Sequence, residues 1–348
     1  MAEIGVVGPT SWGTTLAVLL ARRGHRVALL TRTPQEADAL ARAGENRRFL
    51  PGLAFPPGLW LTASPAEAVG RAQMVVLAVP SASVRENARR IAPFLPRDAV
   101  LLHAVKGLEP GTALRISQVL AQEAPSHAER LGVLSGPNLA REIAQGLPSS
   151  TVVASPSPAV ARWVQDALHT PAFRVYISRD VIGVELAGAL KNIIAIGAGM
   201  CDGLGLGANA KSAFVTRGLA EITRLGVAAG ADPLTFAGLA GIGDLMATCW
   251  SPLSRNRTVG ERLARGQPLG EVLKGLGQVA EGVHTVPSAL LLAQRYGVEM
   301  PIAQVTYQVL YEGLPIPKAI EALLGRSPKP EWPEGWGTLP REERENPC

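Results

Sequence analysis

One lysine in this sequence has surroundings that suit a proton donor. Only six of the 34 Lys and Arg residues are lysines, so the chain strongly prefers arginine. Lys191 lies in the run 185–192, and small or apolar residues surround it at helical spacing. Such a face lets a substrate approach closely, and desolvation lowers the pKa of the ammonium. The pattern suits a general acid for a carbonyl oxygen; a lysine whose ammonium reaches water at a helix edge is the alternative.

Two further groups of polar residues follow in the second half of the sequence. Asp244 is a single acid in an apolar, glycine-rich stretch. Ser254, Arg255 and Asn256 place a hydroxyl, a guanidinium and an amide side by side near a predicted helix start. Donors at a helix start suit an anionic phosphate. The alternatives are a helix cap for Asp244 and an ordinary polar helix start for the other three.

A glycine-rich turn near the N-terminus has the position of a dinucleotide-binding motif. Gly8 and Gly13 lie between the first predicted strand and the first predicted helix. In that arrangement, backbone N–H groups at the helix start bind a pyrophosphate. Thr10 replaces the middle glycine, where a side chain would keep the backbone away from the pyrophosphate, so we expect weaker cofactor binding. A plain strand–turn–helix connection is the alternative.

The end of the second predicted strand indicates which cofactor would bind. About 20 residues after the glycine-rich turn, an NAD-specific site carries an acid on the ribose. This chain instead has Arg32 between two threonines. A guanidinium with no carboxylate beside it would attract the 2′-phosphate of NADP. We therefore expect NADP(H) to be preferred and NAD(H) to be accepted; a solvated arginine at a strand end is the alternative.

The hydrophobic pattern predicts which elements position these residues. Up to residue 179, short apolar runs alternate with helical patterns, which predicts a Rossmann-type α/β dinucleotide-binding domain with a mostly parallel sheet over 1–179. Residues 180–326 show helical patterns alone and predict an all-α substrate domain. Residues 327–348 hold five prolines and predict an irregular tail, which Trp332 and Trp336 could anchor.

Composition argues against several classes of protein. Hydrophobic residues make up 47% of the chain, which is enough for sizeable cores. We expect no membrane insertion, because no uncharged run is long enough, and no signal peptide. Three widely spaced cysteines predict a reducing cytoplasm, no disulfide framework and no metal site. The net charge of +5 is spread along the chain, so we expect no nucleic-acid partner.

Many short motifs occur here in the order that they have in one enzyme family. Up to about residue 326, the sequence resembles the bacterial-type NAD(P)-dependent glycerol-3-phosphate dehydrogenases. The matching residues are Ser11-Trp12-Gly13, Phe49-Leu50-Pro51, Lys106-Gly107, Ser135-Gly136-Pro137, Ala140, Glu142, Glu185, Gly188-Ala189, Lys191-Asn192, Asn209, Arg217-Gly218, Gly243-Asp244-Leu245, Ser254-Arg255-Asn256, Glu281-Gly282 and Met300-Pro301-Ile302. Single motifs recur in other proteins, but the ordered set is specific.

The resemblance implies a reaction and a role for each site residue. The reaction is reversible hydride transfer between NAD(P)H and dihydroxyacetone phosphate, giving sn-glycerol 3-phosphate for phospholipid synthesis, with Lys191 as the acid/base and usually in a homodimer. The implied substrate residues are Lys106, Gly136, Asn138, Lys191, Asp244, Ser254, Arg255 and Asn256. The implied cofactor residues are Ser11, Trp12, Arg32, Lys106, Ala140, Arg255, Val279 and Glu281. Asn138 departs from the family, in which serine is more usual.

Two other functions stay open from the residues alone. A dehydrogenase for hydroxy acids would share the first half of the chain and the helical Lys191-Asn192 pair, but we would not expect it to combine Asp244 with 254–256. A non-catalytic protein that senses the cofactor is the second alternative, and only Thr10 favours it. Loss of NADPH on addition of dihydroxyacetone phosphate would separate the three functions.

Overall fold

The first half of the chain forms one eight-stranded sheet. The computed structural model describes residues 1–328, 330 and 331. Its strands are β1 (Glu3–Val7), β2 (Arg26–Leu30), β3 (Leu59–Thr62), β4 (Met74–Leu77), β5 (Val100–His103), β6 (Leu131–Ser135), β7 (Ser149–Ala154) and β8 (Phe173–Ser178). Successive residues of β1 face opposite sides: Val6 packs in one core cluster and Val7 in another. Both faces are buried, which explains the continuous apolar runs.

The strand order places a crossover beside β1. The order is β3-β2-β1-β4-β5-β6-β7-β8, and all neighbours are parallel except β6 and β7. The chain thus returns from the edge at β3 past β1 to β4, as in dinucleotide-binding sheets, which bind ligands at the carboxyl ends of their strands. The predicted Rossmann-type α/β domain with a mostly parallel sheet is confirmed.

Seven helices connect these strands, and several begin at a side-chain cap. Ser64 caps the helix that follows it: its hydroxyl accepts a hydrogen bond from the Glu67 N–H at 3.4 Å. The helices are α1 (Ser11–Arg22), α2 (Pro34–Ala43), α3 (Pro65–Val69), α4 (Val84–Ile91), α5 (Ile116–Glu123), α6 (Ala140–Ala144) and α7 (Pro158–Leu168).

Two features of the sheet differ from the sequence pattern. The apolar run 74–79 continues past the end of β4 at Leu77, because Pro80 lacks an N–H and the chain turns there into a 3-10 turn, Ser81–Ser83. β3 is short and its residues are only partly buried except for Thr62, so its pattern did not stand out. The turn after β4 lies at the carboxyl edge of the sheet.

The second half consists of helices around one buried helix. These are α8 (Val181–Gly203), α9 (Gly207–Ala228), α10 (Pro233–Phe236), α11 (Asp244–Trp250), α12 (Arg255–Ala264), α13 (Leu269–Leu276), α14 (Glu281–Tyr296), α15 (Pro301–Tyr311) and α16 (Ile316–Leu324). The described part of this region contains no strand, so the predicted all-α character is confirmed. The predicted boundary at 179/180 falls between β8 and α8, where Asp180 caps α8 through the Gly183 N–H at 2.8 Å.

The backbones of α8 and α12 touch. A Cβ on Gly260 of α12 would lie 1.8 Å from the Ile196 carbonyl oxygen, and a Cβ on Gly199 of α8 would lie 1.9 Å from the Arg257 carbonyl oxygen. Only glycine permits this approach. The contact fixes the start of α12 against the middle of α8, where Lys191 and Asn192 lie.

By length and hydropathy, α8 resembles a membrane-spanning helix. However, 89% of its most apolar window is buried within the protein, as in the core helix of a globular domain. Glu185 and Lys191 interrupt the apolar sequence, and both are buried by other parts of the fold. In this structure α8 is the core helix of the second half. Of the predicted tail, 329 and 332–348, including Trp332 and Trp336, lie outside the described residues.

Candidate active site

The two lysines singled out in the sequence meet at one carboxylate. Lys191 of α8 is buried, and its Nζ lies 3.0 Å from Asp244 Oδ1 and also donates to the Thr248 hydroxyl. Lys106, on the loop after β5, donates from Nζ to Asp244 Oδ2 at 2.8 Å. The same ammonium donates to the Gly136 carbonyl oxygen at 2.7 Å, after the end of β6. One carboxylate thus lies between two ammonium groups, which leaves a net positive charge at this point.

Helix α11 positions the acid and the hydroxyl together. Asp244 is its first residue and Thr248 lies one turn later, so both side chains are on one face. The Thr248 hydroxyl also donates to the Asp244 carbonyl oxygen at 2.6 Å, which fixes its lone pairs toward Lys191. A kinked, glycine-rich π-helical turn, Leu239–Gly243, precedes α11 and explains why small residues lead into the acid.

The environment of Lys191 moves its pKa toward neutrality. Burial, assisted by the nearby charge of Lys106, lowers the pKa of Lys191 to about 8 against the opposing effect of the Asp244 carboxylate. A lysine with this pKa exchanges its proton readily near neutral pH, whereas an exposed lysine does not. The desolvation expected from the sequence is therefore present.

A chain of amide groups links α12 and α14 to the lysines. Asn256 Nδ2 donates to Asn192 Oδ1 at 2.8 Å, and Asn192 Nδ2 donates to the Lys106 carbonyl oxygen at 3.0 Å. Asn256 Oδ1 accepts from the Gly282 N–H at 2.9 Å. Because both ends of the Asn256 amide are engaged, this side chain positions Asn192 and, through it, the Lys106 loop.

The start of α12 holds the other members of the predicted phosphate group. The Ser254 hydroxyl caps the helix by accepting from the Arg257 N–H at 3.2 Å. Arg255 is exposed and donates from Nη1 to the Val279 carbonyl oxygen at 2.6 Å. The first N–H groups of a helix have no intrahelical acceptor. Backbone donors and the Arg255 guanidinium therefore lie together at this helix end.

The glycine-rich turn has the close contacts of a dinucleotide cradle. A Cβ on Gly13 would lie 2.0 Å from the Gly8 carbonyl oxygen, and Gly8 has a φ of 104°. Glycine is required at both positions, and the N-terminus of α1 faces the carboxyl edge of the sheet. These features fit a pyrophosphate.

Thr10, whose side chain we expect from the sequence to hinder the pyrophosphate, has its hydroxyl bound within the protein. Its Oγ1 accepts from the Gly13 N–H at 3.0 Å and donates to the Ala78 carbonyl oxygen at 2.7 Å. The side chain is thus directed at the neighbouring strand end and caps α1. Its φ of −75° and ψ of 171° are ordinary for a non-glycine residue.

The other predicted cofactor residues lie around the same edge. The Trp12 ring packs edge-on to Phe173 with 6.5 Å between centroids, so it is part of the core next to the turn. Ser11 Oγ donates to Gln278 Oε1 at 3.3 Å, which joins α1 to the segment before α14. Ala140 begins α6 beside α1, where its carbonyl oxygen accepts from Thr15 at 3.3 Å.

Glu281 connects the two halves of the protein. Its carboxylate accepts from the Ser81 N–H at 3.0 Å and from the Ser81 hydroxyl at 2.6 Å, after the end of β4. Burial raises the pKa of Glu281, while these two hydrogen bonds oppose the rise. Gly107 lies against the same pair: a Cβ there would be 2.7 Å from the Ser81 Cβ.

Arg32 has a partner that the sequence interpretation lacked. Its Nη2 and its backbone N–H each donate to the Glu36 carboxylate at 3.0 Å. The expectation that no carboxylate stands beside Arg32 is therefore wrong: Glu36 is four residues on, and the first turn of α2 brings it back to the strand end. Among the described contacts, Arg32 has no hydrogen bond to the other predicted site residues.

Asn138 lies next to Gly136, between β6 and α6. Its Oδ1 accepts from Thr151 Oγ1 at 3.1 Å. Its Nδ2 is buried and has no hydrogen-bond partner among the described residues. A buried amide donor without an acceptor is costly, so this group is available to a bound molecule.

Four residues of the site were missed or left without a role by the sequence interpretation. They are Thr248, Asn192, Gln278 and Ser81. The spacing of four residues from Asp244 was a signal for Thr248, since it places both on one helix face. The described residues include no group of three or more His, Cys, Asp or Glu side chains that could hold a metal ion.

The fold and the site together define an NAD(P)-dependent dehydrogenase with an α/β N-terminal region and a helical C-terminal region. A family model described as the NAD-dependent glycerol-3-phosphate dehydrogenase N-terminus matches residues 3–161, and its C-terminal counterpart matches 180–321. The chain belongs to the NAD-dependent glycerol-3-phosphate dehydrogenase family and is an oxidoreductase that uses NAD(P).

Individual relatives agree over almost the whole chain. The glycerol-3-phosphate dehydrogenase [NAD(P)+] of Moorella thermoacetica is 51% identical over 324 residues, covering 93% of this chain and 96% of the relative. That of Desulfitobacterium hafniense is 50% identical over 331 residues, covering 95% and 93%. The crystal structure of glycerol-3-phosphate dehydrogenase from Coxiella burnetii has a TM-score of 0.89 and 36% identity, covering 93% of this chain and 99% of that chain.

Proposed function

We propose that this protein interconverts dihydroxyacetone phosphate and sn-glycerol 3-phosphate, with Lys191 as the acid/base. The observation that carries the proposal is the shared contact of Lys191 and Lys106 with Asp244. It places a desolvated proton donor and a second cation at one point, next to the loop of Gly136. A bound nicotinamide supplies or accepts the hydride at C2 of the substrate.

The residues around Lys191 control its proton. In the reducing direction, Nζ gives its proton to the developing alkoxide, and Asp244 and Thr248 keep the amine directed. In the oxidising direction, the neutral amine takes the proton from the C2 hydroxyl. Lys106, whose ammonium Asp244 holds at 2.8 Å beside Lys191, would stabilise negative charge on the substrate oxygen.

The start of α12 would form the binding site for the substrate phosphate. The Ser254 and Asn256 side chains are engaged in capping and in holding Asn192, so their contribution would come through the backbone. Arg255 would provide a charge-assisted hydrogen bond from its exposed guanidinium. Asn138, with its buried free Nδ2, and Gly136 would bind the other end of the substrate.

The glycine-rich turn with Gly8 and Gly13 and the N-terminus of α1 would hold the cofactor pyrophosphate. Ser11, Trp12 and Ala140 would lie beside it. Val279, just before α14, and Glu281, its first residue, would line the opposite side. Arg32 would lie near the adenosine ribose.

A wider setting follows from the resemblance. We propose a homodimer in a reducing cytoplasm that makes glycerol phosphate for phospholipid synthesis. Cys201 and Cys249 are buried free thiols, which agrees with a reducing compartment. A solution mass equal to one chain would contradict the homodimer.

A substrate panel tests the proposed function. Dihydroxyacetone phosphate should drive NADPH oxidation, whereas dihydroxyacetone without phosphate and a 2-keto acid should be poor substrates, since both lack a phosphate for α12. Equal rates for all three compounds would contradict the assignment. Cofactor binding without oxidation by any of them would favour the cofactor-sensing alternative.

A further inference from the structure

The anion-binding donors at the end of β2 are occupied by a residue of the chain itself. The Arg32 backbone N–H and Nη2 each lie 3.0 Å from the Glu36 carboxylate, and Nε lies 3.4 Å away. The Arg32 side chain is 71% exposed, whereas the Glu36 side chain is only 21% exposed. The carboxylate is therefore the inner member of the pair, and the guanidinium covers it from solvent.

The backbone around this pair is held by its own hydrogen bonds. The Thr33 hydroxyl caps α2 by accepting from the Glu36 N–H at 3.2 Å. The Thr31 hydroxyl donates to the Thr62 carbonyl oxygen at 3.2 Å and to the Thr33 carbonyl oxygen at 3.0 Å. The position of Glu36 relative to the strand end is thus fixed by the first turn of α2, not by chance pairing of two long side chains.

The carboxylate of Glu36 is ionised at neutral pH. Burial raises the pKa of Glu36, but hydrogen bonds from Arg32 outweigh this effect and lower it below the ordinary value, and the charge of Arg48 acts in the same direction. A negative charge therefore stands where the second strand of a dinucleotide-binding sheet meets the adenosine ribose.

We propose that Glu36 is a specificity-determining residue of the cofactor site: its carboxylate occupies the donors of Arg32, weakens binding of the 2′-phosphate of NADP(H), and keeps NAD(H) as an effective cofactor. The proposal rests on the proposed cofactor site. A 2′-phosphate must displace this carboxylate from Arg32 or bind beside a like charge. A 2′-hydroxyl meets neither obstacle, because it can donate to the carboxylate, as it does to the acid of an NAD-specific site.

The test measures the affinities of both cofactors directly. Nicotinamide fluorescence titrations with NADPH and with NADH are made on the full chain and on Glu36→Gln. Glutamine keeps the size and an acceptor oxygen for the Arg32 N–H but removes the charge. We expect the variant to bind NADPH about tenfold more tightly, with NADH affinity changed by less than about threefold.

Two further variants separate the local effect from charge in general. Glu3→Gln removes the same charge from an exposed pair, since Glu3 Oε1 lies 2.9 Å from Arg26 at the opposite, amino edge of the sheet. It should leave both affinities unchanged. In Arg32→Ala/Glu36→Gln the gain for NADPH should be lost, because the donor that the glutamine releases is absent.

The outcomes distinguish this proposal from the proposed function. If both cofactors bind and Glu36→Gln leaves their affinity ratio unchanged, the role of Glu36 is wrong while the dinucleotide site stands. The role of Glu36 is equally wrong if Glu3→Gln changes the ratio by the same factor. If neither cofactor binds to the unmodified protein, the proposed function fails and this inference fails with it. Thermal unfolding of each variant verifies that it is folded.

Discussion

Lys191 and Asp244 lie 3.0 Å apart although 53 residues separate them in the sequence. The first belongs to the central helix of the second half and the second begins a short helix packed on it. Both residues are buried: Lys191 is 4% exposed and Asp244 is 2% exposed. A buried pair of this kind is costly unless further hydrogen bonds satisfy it, and Thr248 and Lys106 provide them.

Replacing Lys191 by arginine tests whether its proton matters more than its charge. Arg keeps the positive charge but does not release its proton near neutral pH. We expect Lys191→Arg to lose at least about 100-fold in kcat, the lower range of what a positioned proton donor contributes. The binding of NADPH should change little. A variant that retains most of its turnover would contradict the acid/base role.

The pH dependence of the two directions should be opposite. With a pKa of about 8, Lys191 is protonated below this pH and neutral above it. Reduction needs the protonated amine, so its kcat/KM should fall as pH rises through about 8; oxidation needs the neutral amine and should rise there. Stopped assays in both directions over pH 6 to 10, roughly two units either side of that value, give the two profiles.

The neighbours of Lys191 should displace these profiles in opposite directions. Asp244 raises the pKa of Lys191 and Lys106 lowers it. Asp244→Asn should therefore move the limb of the reduction profile to lower pH, and Lys106→Met should move it to higher pH, whatever each does to the maximal rate. Shifts of the same sign in both variants would be incompatible with this electrostatic account.

The sequence could identify the lysines and the acid but not their pairing. Lys191 stood out because small or apolar residues surround it at helical spacing, and Asp244 because it is a single acid in an apolar, glycine-rich stretch. Lys106 and Asp244 are 138 residues apart, and their contact depends on how α11 packs against the sheet edge. No local pattern encodes that distance. Thr248 looks like any helical threonine until its hydroxyl is placed beside Lys191.

The sheet itself was largely predictable, because strands buried on both faces are continuous apolar runs. The short edge strand β3 was not predictable in this way, because few of its residues are buried. Arg32 and Glu36 pair because the first turn of α2 brings residue 36 back next to residue 32. The pair was not predicted, because the sequence interpretation of the strand end considered residues only up to Thr33.

Arg255 should affect substrate binding more than the chemical step. Its exposed guanidinium at the start of α12 matches a phosphate with two parallel hydrogen bonds, which lysine cannot reproduce. We expect Arg255→Lys to raise the KM for dihydroxyacetone phosphate about tenfold with a smaller change in kcat. Arg265→Lys is the matched control, because Arg265 is an exposed arginine just beyond the other end of the same helix. Equal effects of the two variants would refute the phosphate role.

Thr10 should contribute to stability and not hinder the cofactor. Its hydroxyl caps α1 and also bonds to Ala78. Thr10→Ala should therefore cost about 1 kcal/mol of unfolding free energy, as lost helix caps do. Thr10→Gly should leave the affinities for NADPH and NADH within about twofold of the original values. If glycine tightened both cofactors markedly, the Thr10 side chain would be an obstacle after all.

The most direct test of the central claim is a single-turnover measurement. The protein is saturated with NADPH, mixed rapidly with dihydroxyacetone phosphate, and the loss of nicotinamide absorbance is compared with the glycerol 3-phosphate formed. We predict one equivalent of product per NADPH consumed, and a rate at least about 100-fold slower in Lys191→Ala with NADPH still bound. No product from the unmodified protein, or the same rate in Lys191→Ala, would contradict the account.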